Sequence, residues 1–393
     1  MGRLRGEAPV LKTVTIAGAG PAGLAAAIHL RRSGVPVAIF ERRDAVGARF
    51  IGEWQVLESY SRREDALEEL RSMGIEATFE HIPATWAHLV DDRGKKLEVR
   101  SKAPYGYFLR RGVEPGTLDR ALEAQAKALG AEVHYCRKLA PEEADIVATG
   151  PGPADGIAKE IAFRTTTPDR IEVVFDPDLA PGGYAYFFVL GGWATLGLAL
   201  LNGYGKLEAQ FEKGVARFQE IAPFAIESPR PGYSYMNFFL HGSSERGSRL
   251  FAGEAGGFQD YLFGLGIRYA LVSGHLAARS LVERVPFDEL WRKRLLDGMR
   301  SSLGARLLYE SLGRHGLRQF VSQSGRRDFR EFLHSWARPS WWRLALRPLA
   351  ERVFGKAESC GHKIPCTWCR PREGRAGKPE PLPRDFVARY LEE

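Results

Sequence analysis

The sequence predicts an α/β fold with a nucleotide-binding domain, an inserted antiparallel sheet and a helical C-terminal region. Three observations support it: a strand, glycine turn and helix near residue 13, alternating apolar segments after residue 150, and cation-rich helical segments after residue 286. We expect residues 10–150 and 245–285 to form the first domain and residues 151–244 to form the sheet, which would hold the substrate. Residues 286–356 would form a helical cap, and residues 357–393 a tail.

The first observation is a dinucleotide-binding pattern. The apolar run Val14–Ala17 predicts a buried parallel strand, and an Ala-rich helix is expected over residues 24–33. Between them, Gly18 permits a tight turn, Gly20 lets the backbone approach a pyrophosphate, and Gly23 allows the helix to pack closely on the strand. The phosphates would then lie at the positive end of the helix dipole.

A second predicted strand, residues 35–40, places Glu41 at its C-terminal end. A carboxylate at this position accepts hydrogen bonds from both ribose hydroxyls and repels a 2′-phosphate. Glycine-rich turns are common, but here strand, turn, helix, strand and acid follow in the expected order, so a Rossmann-type dinucleotide site is predicted. The predicted cofactor-binding residues of this region are Gly18, Gly20, Pro21, Ala22, Gly23, Glu41, Arg42 and Arg49.

Two later segments indicate which dinucleotide to expect. Residues 145–150 form an apolar stretch that ends in Ala-Thr-Gly, and residues 250–257 contain a Gly-Glu pair that is followed by a Gly-Leu-Gly and a predicted helix over residues 267–282. With the glycine turn, they resemble the FAD-binding signature of the flavoprotein family that includes aromatic-ring hydroxylases and geranylgeranyl reductases. The resemblance covers about residues 10–300. It implies FAD rather than NAD alone, in a domain of the glutathione reductase and hydroxylase type.

The resemblance also implies roles for later residues. In that family the acid of the late Gly-Asp motif binds the ribityl chain, and the glycines and helix N-terminus that follow face the flavin ring. Glu254 matches the acid with one methylene more than Asp. The segment of residues 107–112 predicts a strand that ends in two arginines. An arginine at such a site contacts the diphosphate side of FAD in the family, and Arg111 is the better match; a solvated surface arginine is the alternative. The residues assigned in this way are Arg111, Gly253, Glu254, Gly264 and Gly266.

The predicted hairpin over residues 180–199 resembles a Pro-x-Gly-Tyr-x-Trp segment of geranylgeranyl and related polyprenyl reductases, which saturate isolated double bonds of isoprenoid lipids. The chain differs from that pattern at two places. It has Tyr186 where the family has Trp, and Phe-Phe-Val at residues 187–189 where the family has Phe-Pro-Lys. The resemblance implies an FAD-dependent reductase of an isoprenoid or other lipid-like substrate. Two alternatives stay open: an FAD-dependent monooxygenase that hydroxylates an aromatic or lipid substrate with NAD(P)H and oxygen, and a flavoprotein that transfers electrons to a partner.

The sequence has no second glycine fingerprint for NAD(P)H, so electrons would come from a transient nicotinamide site or from an electron-donor protein. No residue stands out as a proton donor. Aromatic residues of the predicted sheet could line an apolar tunnel or could pack as core. These residues are Tyr184, Tyr186, Trp193, Tyr233, Tyr235, Phe238 and Phe239.

Positive charge is concentrated near the C-terminus. Residues 312–378 contain fifteen Lys and Arg against five Asp and Glu, whereas the whole chain has a net charge of +8. Tryptophans such as Trp341 and Trp342 lie among these cations, a mixture that favours either an anionic membrane surface or a helical cap with arginines outside. No nucleic-acid-binding module accompanies the charge. Residues 1–12 lack a signal-peptide core, so we expect a cytoplasmic protein, with peripheral attachment to the inner face of the membrane as an option.

Three of the four cysteines cluster near the C-terminus. Cys360, His362, Cys366 and Cys369 have the ligand number for tetrahedral zinc, or for an iron–sulfur site if another ligand joins. A redox-active thiol pair and a tail that binds nothing are the alternatives. Cys136 lies alone in a segment predicted as a strand.

Overall fold

The computed structural model describes residues 12–151, 156–201, 206–236, 240–346 and 348–349. Within these ranges the chain forms three β-sheets and ten α-helices. The helices are α1 (Pro21–Arg32), α2 (Ala66–Ser72), α3 (Leu118–Ala128), α4 (Leu207–Ile221), α5 (Ile267–Glu283), α6 (Phe287–Trp291), α7 (Asp297–Ser311), α8 (Gly313–Ser324), α9 (Phe329–Ala337) and α10 (Trp341–Ala345).

The first sheet is the predicted Rossmann-type sheet. Its strands are β1 (Val14–Ala17), β2 (Val37–Phe40), β8 (Glu132–His134), β9 (Ile146–Val147), β15 (Glu245–Arg246) and β16 (Arg249–Phe251), in the order β15-β16-β9-β1-β2-β8. All neighbours are parallel except β15 and β16, and Ile16 of β1 pairs with Ile39 and Ile146. α5 packs directly on α1, because a Cβ at Gly274 would lie 2.0 Å from the carbonyl oxygen of Ala22.

The second sheet is the predicted antiparallel sheet, enlarged by a hairpin from earlier in the chain. Its strands are β5 (Trp86–Asp91), β6 (Lys96–Arg100), β10 (Gly156–Arg164), β11 (Arg170–Phe175), β12 (Tyr184–Leu190), β13 (Trp193–Leu200) and β14 (Glu227–Met236), in the order β14-β10-β13-β12-β11-β5-β6. Only β11 and β5 are parallel. β12 and β13 confirm the hairpin predicted over residues 180–199.

A third sheet and the C-terminal helices complete the fold. The sheet has the order β3-β7-β4, formed by β3 (Trp54–Glu58), β4 (His81–Ala84) and β7 (Gly106–Arg110). α6 continues through a π-helical turn, Arg292–Leu296, into α7. α8 and α9 pack on the second sheet through a shared apolar cluster that includes Phe175, Phe320 and Phe332. This confirms the helical C-terminal region. No helix within the described ranges is long and apolar enough to cross a bilayer.

One local prediction was wrong. Cys136 lies in an exposed turn after β8 with φ of 53°, not in a strand. The helix α2 begins at Ala66, because the Asp65 carboxylate accepts a hydrogen bond from the Leu67 amide at 2.9 Å and caps the helix there. Tyr233 and Tyr235 lie in β14, which begins at Glu227. Phe238 and Phe239 lie outside the described residues.

Candidate active site

One continuous cleft of about 300 Å³ runs from the C-terminal ends of the first sheet to the face of the second sheet. Parallel α/β sheets place ligands at this end of their strands. Gly23 of the predicted cofactor-binding set does not line the cleft. The predicted residues that line it are Gly18, Gly20, Pro21, Ala22, Glu41, Arg42, Arg49, Arg111, Gly253, Glu254, Gly264 and Gly266. Their role in cofactor binding stays a prediction.

Within the glycine turn, Gly18 and Gly23 have no room for a side chain, whereas Gly20 does. Gly18 has φ of 99°, and a Cβ there would lie 2.3 Å from the Ala148 carbonyl oxygen. A Cβ at Gly23 would lie 2.0 Å from the Gly18 carbonyl oxygen. Gly20 caps the N-terminus of α1, and a Cβ there would meet no heavy atom within 4 Å. Gly20 therefore leaves open space beside the helix N-terminus, as close approach of a phosphate requires.

Glu41 joins the end of β2 to the glycine turn. Its Oε2 accepts a hydrogen bond from the Ala19 amide and its Oε1 accepts one from the Arg43 amide, both at 3.0 Å. An ionised carboxylate can accept about four hydrogen bonds, so capacity for two ribose hydroxyls remains. The side chain thus fixes the turn as well as offering acceptors to the cleft.

Arg111 is a buried, fully engaged cation. Its guanidinium donates to both carboxylate oxygens of Asp119 at 2.8 Å and to Gln55 Oε1 at 3.2 Å, and it lies 3.8 Å from the centre of the Phe50 ring. Burial opposes its charge, but Asp119, together with the charges of Glu53 and Glu254, more than offsets burial and raises the pKa of Arg111. Sequence reasoning did not find Asp119, whose carboxylate also accepts from the Gly112 amide. The ion pair between Arg111 and Asp119 thus fixes one part of the wall of the cleft.

Arg49 is the more available cation. It is half-buried, stacks on Phe50 at 4.6 Å, and makes no hydrogen bond or ion pair with any residue that the structure describes. Glu254 also lines the cleft, in the turn that follows β16. Burial raises the pKa of Glu254, and the charges of Arg49 and Arg111 oppose that rise.

The late glycines adjoin Glu254. Gly266 caps α5, and a Cβ there would lie 3.4 Å from Glu254 Oε1. The Gln259 amide donates to Gly264 at 2.8 Å and to Glu254 at 3.4 Å, which ties the two predicted segments together. The structure thus brings the Gly-Glu and Gly-Leu-Gly segments to one place, as the resemblance implied.

The far end of the cleft is aromatic and apolar. Of the aromatic residues proposed from sequence, Tyr184, Tyr186 and Tyr235 line it, whereas Trp193 and Tyr233 do not. Trp193 instead donates its indole N–H to the Gly52 carbonyl at 2.6 Å. Further lining residues that the sequence did not indicate are Trp54, Val56, Phe188, Met236, Phe263 and Leu265.

A buried acid in this aromatic region was also missed. Glu160 is 4% exposed; its Oε1 accepts from the Tyr186 hydroxyl, and its Oε2 accepts from the Ser234 hydroxyl at 3.0 Å. Burial raises the pKa of Glu160. Burial and then the charge of Glu160 raise the pKa of nearby Glu53 to about 8. Lys159 and Glu160 are adjacent in sequence and resemble a solvated strand segment, so only the tertiary structure shows that the acid is buried.

The predicted metal ligands Cys360, His362, Cys366 and Cys369 lie outside the described residues. Among the residues described, no group of His, Cys, Asp and Glu could hold a metal ion. The zinc and iron–sulfur alternatives stay predictions.

Comparison with known proteins supports the fold. Residues 16–53 match a family model described as an NAD(P)-binding Rossmann-like domain. No curated protein matches the chain. The chain is similar to the solved structure of a geranylgeranyl bacteriochlorophyll reductase-like protein from Thermoplasma acidophilum, with 18% identity and a TM-score of 0.66 over 88% of this chain and 99% of that one.

Other solved structures share this fold. A flavin-dependent brominase is 14% identical, with a TM-score of 0.61 over 88% of this chain and 98% of its own. A 2-methyl-3-hydroxypyridine-5-carboxylic acid oxygenase is 17% identical, with a TM-score of 0.53 over 84% of this chain and 100% of its own. At these identities the likeness concerns the fold. For the fold, it confirms the resemblance to reductase-like and hydroxylase flavoproteins.

Proposed function

We propose that the chain is an FAD-dependent oxidoreductase that reduces carbon–carbon double bonds of an isoprenoid or other lipid-like substrate. The observation that carries this proposal is the continuity of the cleft, which joins the glycine turn to an aromatic, apolar pocket. The likeness in fold to a geranylgeranyl reductase-like protein supports the choice of substrate class.

The residues present fit FAD. The open space at Gly20 and the N-terminus of α1 suit a diphosphate, and Glu41 keeps acceptors for a ribose. Arg49, which makes no hydrogen bond or ion pair with a described residue, would help to neutralise the diphosphate. Glu254 would accept from ribityl hydroxyls, and Gly266 at the N-terminus of α5 would lie beside the ring.

The chain's own contribution to reduction would be positioning, exclusion of water and proton supply. When bound and reduced, FAD supplies a hydride equivalent from N5. Trp54, Phe188 and Phe263 would hold an alkene in a dry environment and tolerate cationic character on its carbons. Electrons would reach the flavin from NAD(P)H or from an electron-donor protein.

An anaerobic reoxidation experiment tests the proposal. Protein carrying FAD is photoreduced without oxygen and mixed with polyprenyl lipid, and a saturated lipid of equal length is the control. We expect the flavin absorbance to return only with the unsaturated lipid, together with a product two hydrogens heavier. A flavin that no polyprenyl lipid reoxidises contradicts the proposal.

Monooxygenation is the second candidate, and the likeness in fold to the oxygenase favours it. It predicts that the reduced flavin is reoxidised only when oxygen is present and that the product carries a hydroxyl group. Reoxidation in air that yields a hydroxylated product, with no anaerobic reaction, would select this alternative.

A further inference from the structure

Three strands place a tyrosine and a buried acid in one row across the second sheet. Gly197 of β13 pairs with Tyr186 of β12 on one side and with Glu160 of β10 on the other. A Cβ at Gly197 would lie 2.2 Å from Tyr186 Cζ and 2.4 Å from its hydroxyl oxygen. The phenol ring therefore lies across the glycine, and its hydroxyl donates to Glu160 Oε1. A side chain at residue 197 would block this contact.

The acid has a second polar partner at the same site. Ser234 of β14 donates its hydroxyl to Glu160 Oε2 at 3.0 Å. Glu160, Tyr186 and Ser234 all line the cleft, and Tyr186 is 7% exposed. The three side chains form a hydrogen-bonded chain that opens into the aromatic part of the cleft.

The charged and titratable groups that face these three hydrogen-bonded side chains are Glu53, Arg49 and Tyr184. Burial raises the pKa of Glu160 against the opposing effects of its two hydroxyl partners and Arg49. Burial, followed by the charge of Glu160, also raises the pKa of Tyr186, so its phenol is neutral at neutral pH. Glu53 disfavours a second buried negative charge, so the two carboxyl groups retain a proton at a higher pH than isolated ones.

We propose that Tyr186 is the proton donor to the substrate and that Glu160 positions it and returns its proton. This inference rests on the proposed reductase function. A protonated Glu160 donates its O–H to the phenol oxygen and frees the phenolic O–H for the cleft. An ionised Glu160 accepts the phenolic O–H and turns it away from the cleft.

The step balances as follows. The hydride that reduced FAD supplies forms one C–H bond and carries two electrons to the substrate. The Tyr186 O–H bond breaks, and its proton forms the C–H bond at the other alkene carbon. The Glu160 carboxyl proton then passes to the phenolate, and a solvent proton restores Glu160 between turnovers. The alkene is reduced and the flavin is oxidised.

The test uses FAD-loaded Tyr186→Phe and Glu160→Gln, with Tyr135→Phe as a matched control. Tyr135 also donates to a glutamate, Glu123, but lies outside the cleft. In the anaerobic assay we expect Tyr186→Phe to slow lipid-dependent reoxidation about 100-fold, the usual size of a general-acid contribution. FAD affinity and photoreduction should stay unchanged, and the control should match the wild type.

The pH profile and an infrared spectrum separate this role from a structural one. Because Glu160 must be protonated, the wild-type rate should fall as pH rises through the raised pKa of Glu160. Glu160→Gln should lose that pH dependence. In the oxidised protein without substrate, the infrared spectrum at neutral pH should contain protonated carboxyl bands from Glu160 and from Glu53, whose pKa is raised to about 8. The Glu160 band should shift in Tyr186→Phe and be lost in Glu160→Gln, whereas a Glu53 band should remain in both variants.

Distinct outcomes overturn the inference and the function. If the wild type reduces the lipid and Tyr186→Phe matches it, the donation step is wrong and the proposed function survives. If no lipid reoxidises the wild type, the proposed function fails and the donation step fails with it. Carboxyl bands that are the same in the wild type, Tyr186→Phe and Glu160→Gln would contradict the role of Glu160.

Discussion

Two glycines of one motif have different physical tasks. Gly20 leaves space in the cleft, whereas Gly23 leaves space inside the fold, where a Cβ would overlap the Gly18 carbonyl. Substitutions at the two positions should therefore damage different properties of the protein, although both belong to one sequence pattern.

We expect Gly20→Val to abolish FAD retention while the protein stays folded, because the added side chain occupies space that the phosphates need. Flavin absorbance after gel filtration measures retention, and circular dichroism measures folding. Gly23→Val is the comparison, and it should lower the melting temperature as well. Stoichiometric FAD in Gly20→Val would refute the assignment of the cradle.

Glu41→Ala should weaken FAD binding less completely. It removes ribose hydrogen bonds worth on the order of 1.5 to 3 kcal/mol in total, which corresponds to roughly a 10- to 150-fold higher Kd. It also frees the amides of Ala19 and Arg43. Fluorescence titration of the apoprotein measures the Kd, and Glu41→Gln, which keeps one acceptor oxygen, should lie in between. An unchanged Kd would mean that Glu41 is not the ribose ligand.

At this scale the sequence indicated residues within local patterns and missed those that depend on tertiary contacts. Gly18, Gly20 and Glu41 could be found because their spacing along the chain determines the turn. Glu160 could not, because its burial depends on Tyr186, a residue from another strand that crosses a glycine.

At the scale of elements, the crossing of α1 and α5 positions both ends of the proposed cofactor site. The crossing is close because Gly274 of α5 contacts the backbone of Ala22 in α1. α1 presents its N-terminus to the glycine turn, and α5 presents its own to the late glycines. A change in their separation should therefore move the two halves of the cleft apart.

Gly274→Ala should destabilise the protein by about 1–3 kcal/mol, because a Cβ only 2.0 Å from a backbone oxygen forces the helices apart. Chemical denaturation measures the free energy of unfolding. Gly214→Ala in α4 is the matched control, since a Cβ there meets only Leu198 at 3.8 Å. The control should be neutral or gain up to about 1 kcal/mol from helix propensity. Equal stability of both variants would contradict the tight crossing.

Elements formed by contacts close in sequence were predicted well. β1, α1 and β2 follow from a local pattern, and β12 and β13 are joined by a short turn. The sequence did not indicate that β5 and β6 extend the second sheet, because β5 pairs with β11 some eighty residues later, as the pairing of His88 with Glu172 shows. Alternation along one strand says which face is buried but does not identify the neighbouring strand.

At the scale of the whole molecule, the surface near the C-terminus combines exposed tryptophan with a buried arginine. Trp341 is 82% exposed in α10 and Trp342 is 36% exposed, whereas Arg343 is 5% exposed. The Arg343 guanidinium donates to the carbonyl oxygens of Trp336 and Ser335, and to that of Arg338 at 3.1 Å. The arginine thus holds α10 to α9 and leaves both indoles toward solvent.

We propose that this surface binds anionic membranes, and expect vesicle flotation that weakens with salt and with the double substitution Trp341→Ala, Trp342→Ala. Val282→Ala, which trims an exposed side chain of α5, is the control. Flotation that responds to neither salt nor the tryptophans would instead favour a cap with no membrane role.

The cysteine cluster gives a further prediction from the sequence. Protein purified without oxygen or chelator should contain about one zinc per chain if Cys360, His362, Cys366 and Cys369 form a four-coordinate site. An iron–sulfur centre would instead bring iron and acid-labile sulfide. Elemental analysis distinguishes them. Absence of both metals, with stability and rate unchanged in Cys366→Ser, Cys369→Ser, would leave the cluster without a metal or redox role.

The strand order of the first sheet also governs when the protein can mature during its synthesis. β1 carries the glycine turn, yet its neighbours on one side are β9 and then β16, which ends at Phe251. A ribosome must therefore polymerise and release residues through that strand before the sheet can close. Until then the nascent chain exposes an unpaired edge, that of β1 before β9 emerges and that of β9 afterwards. If α5 holds one end of the cofactor as proposed, FAD capture has to follow the emergence of α5.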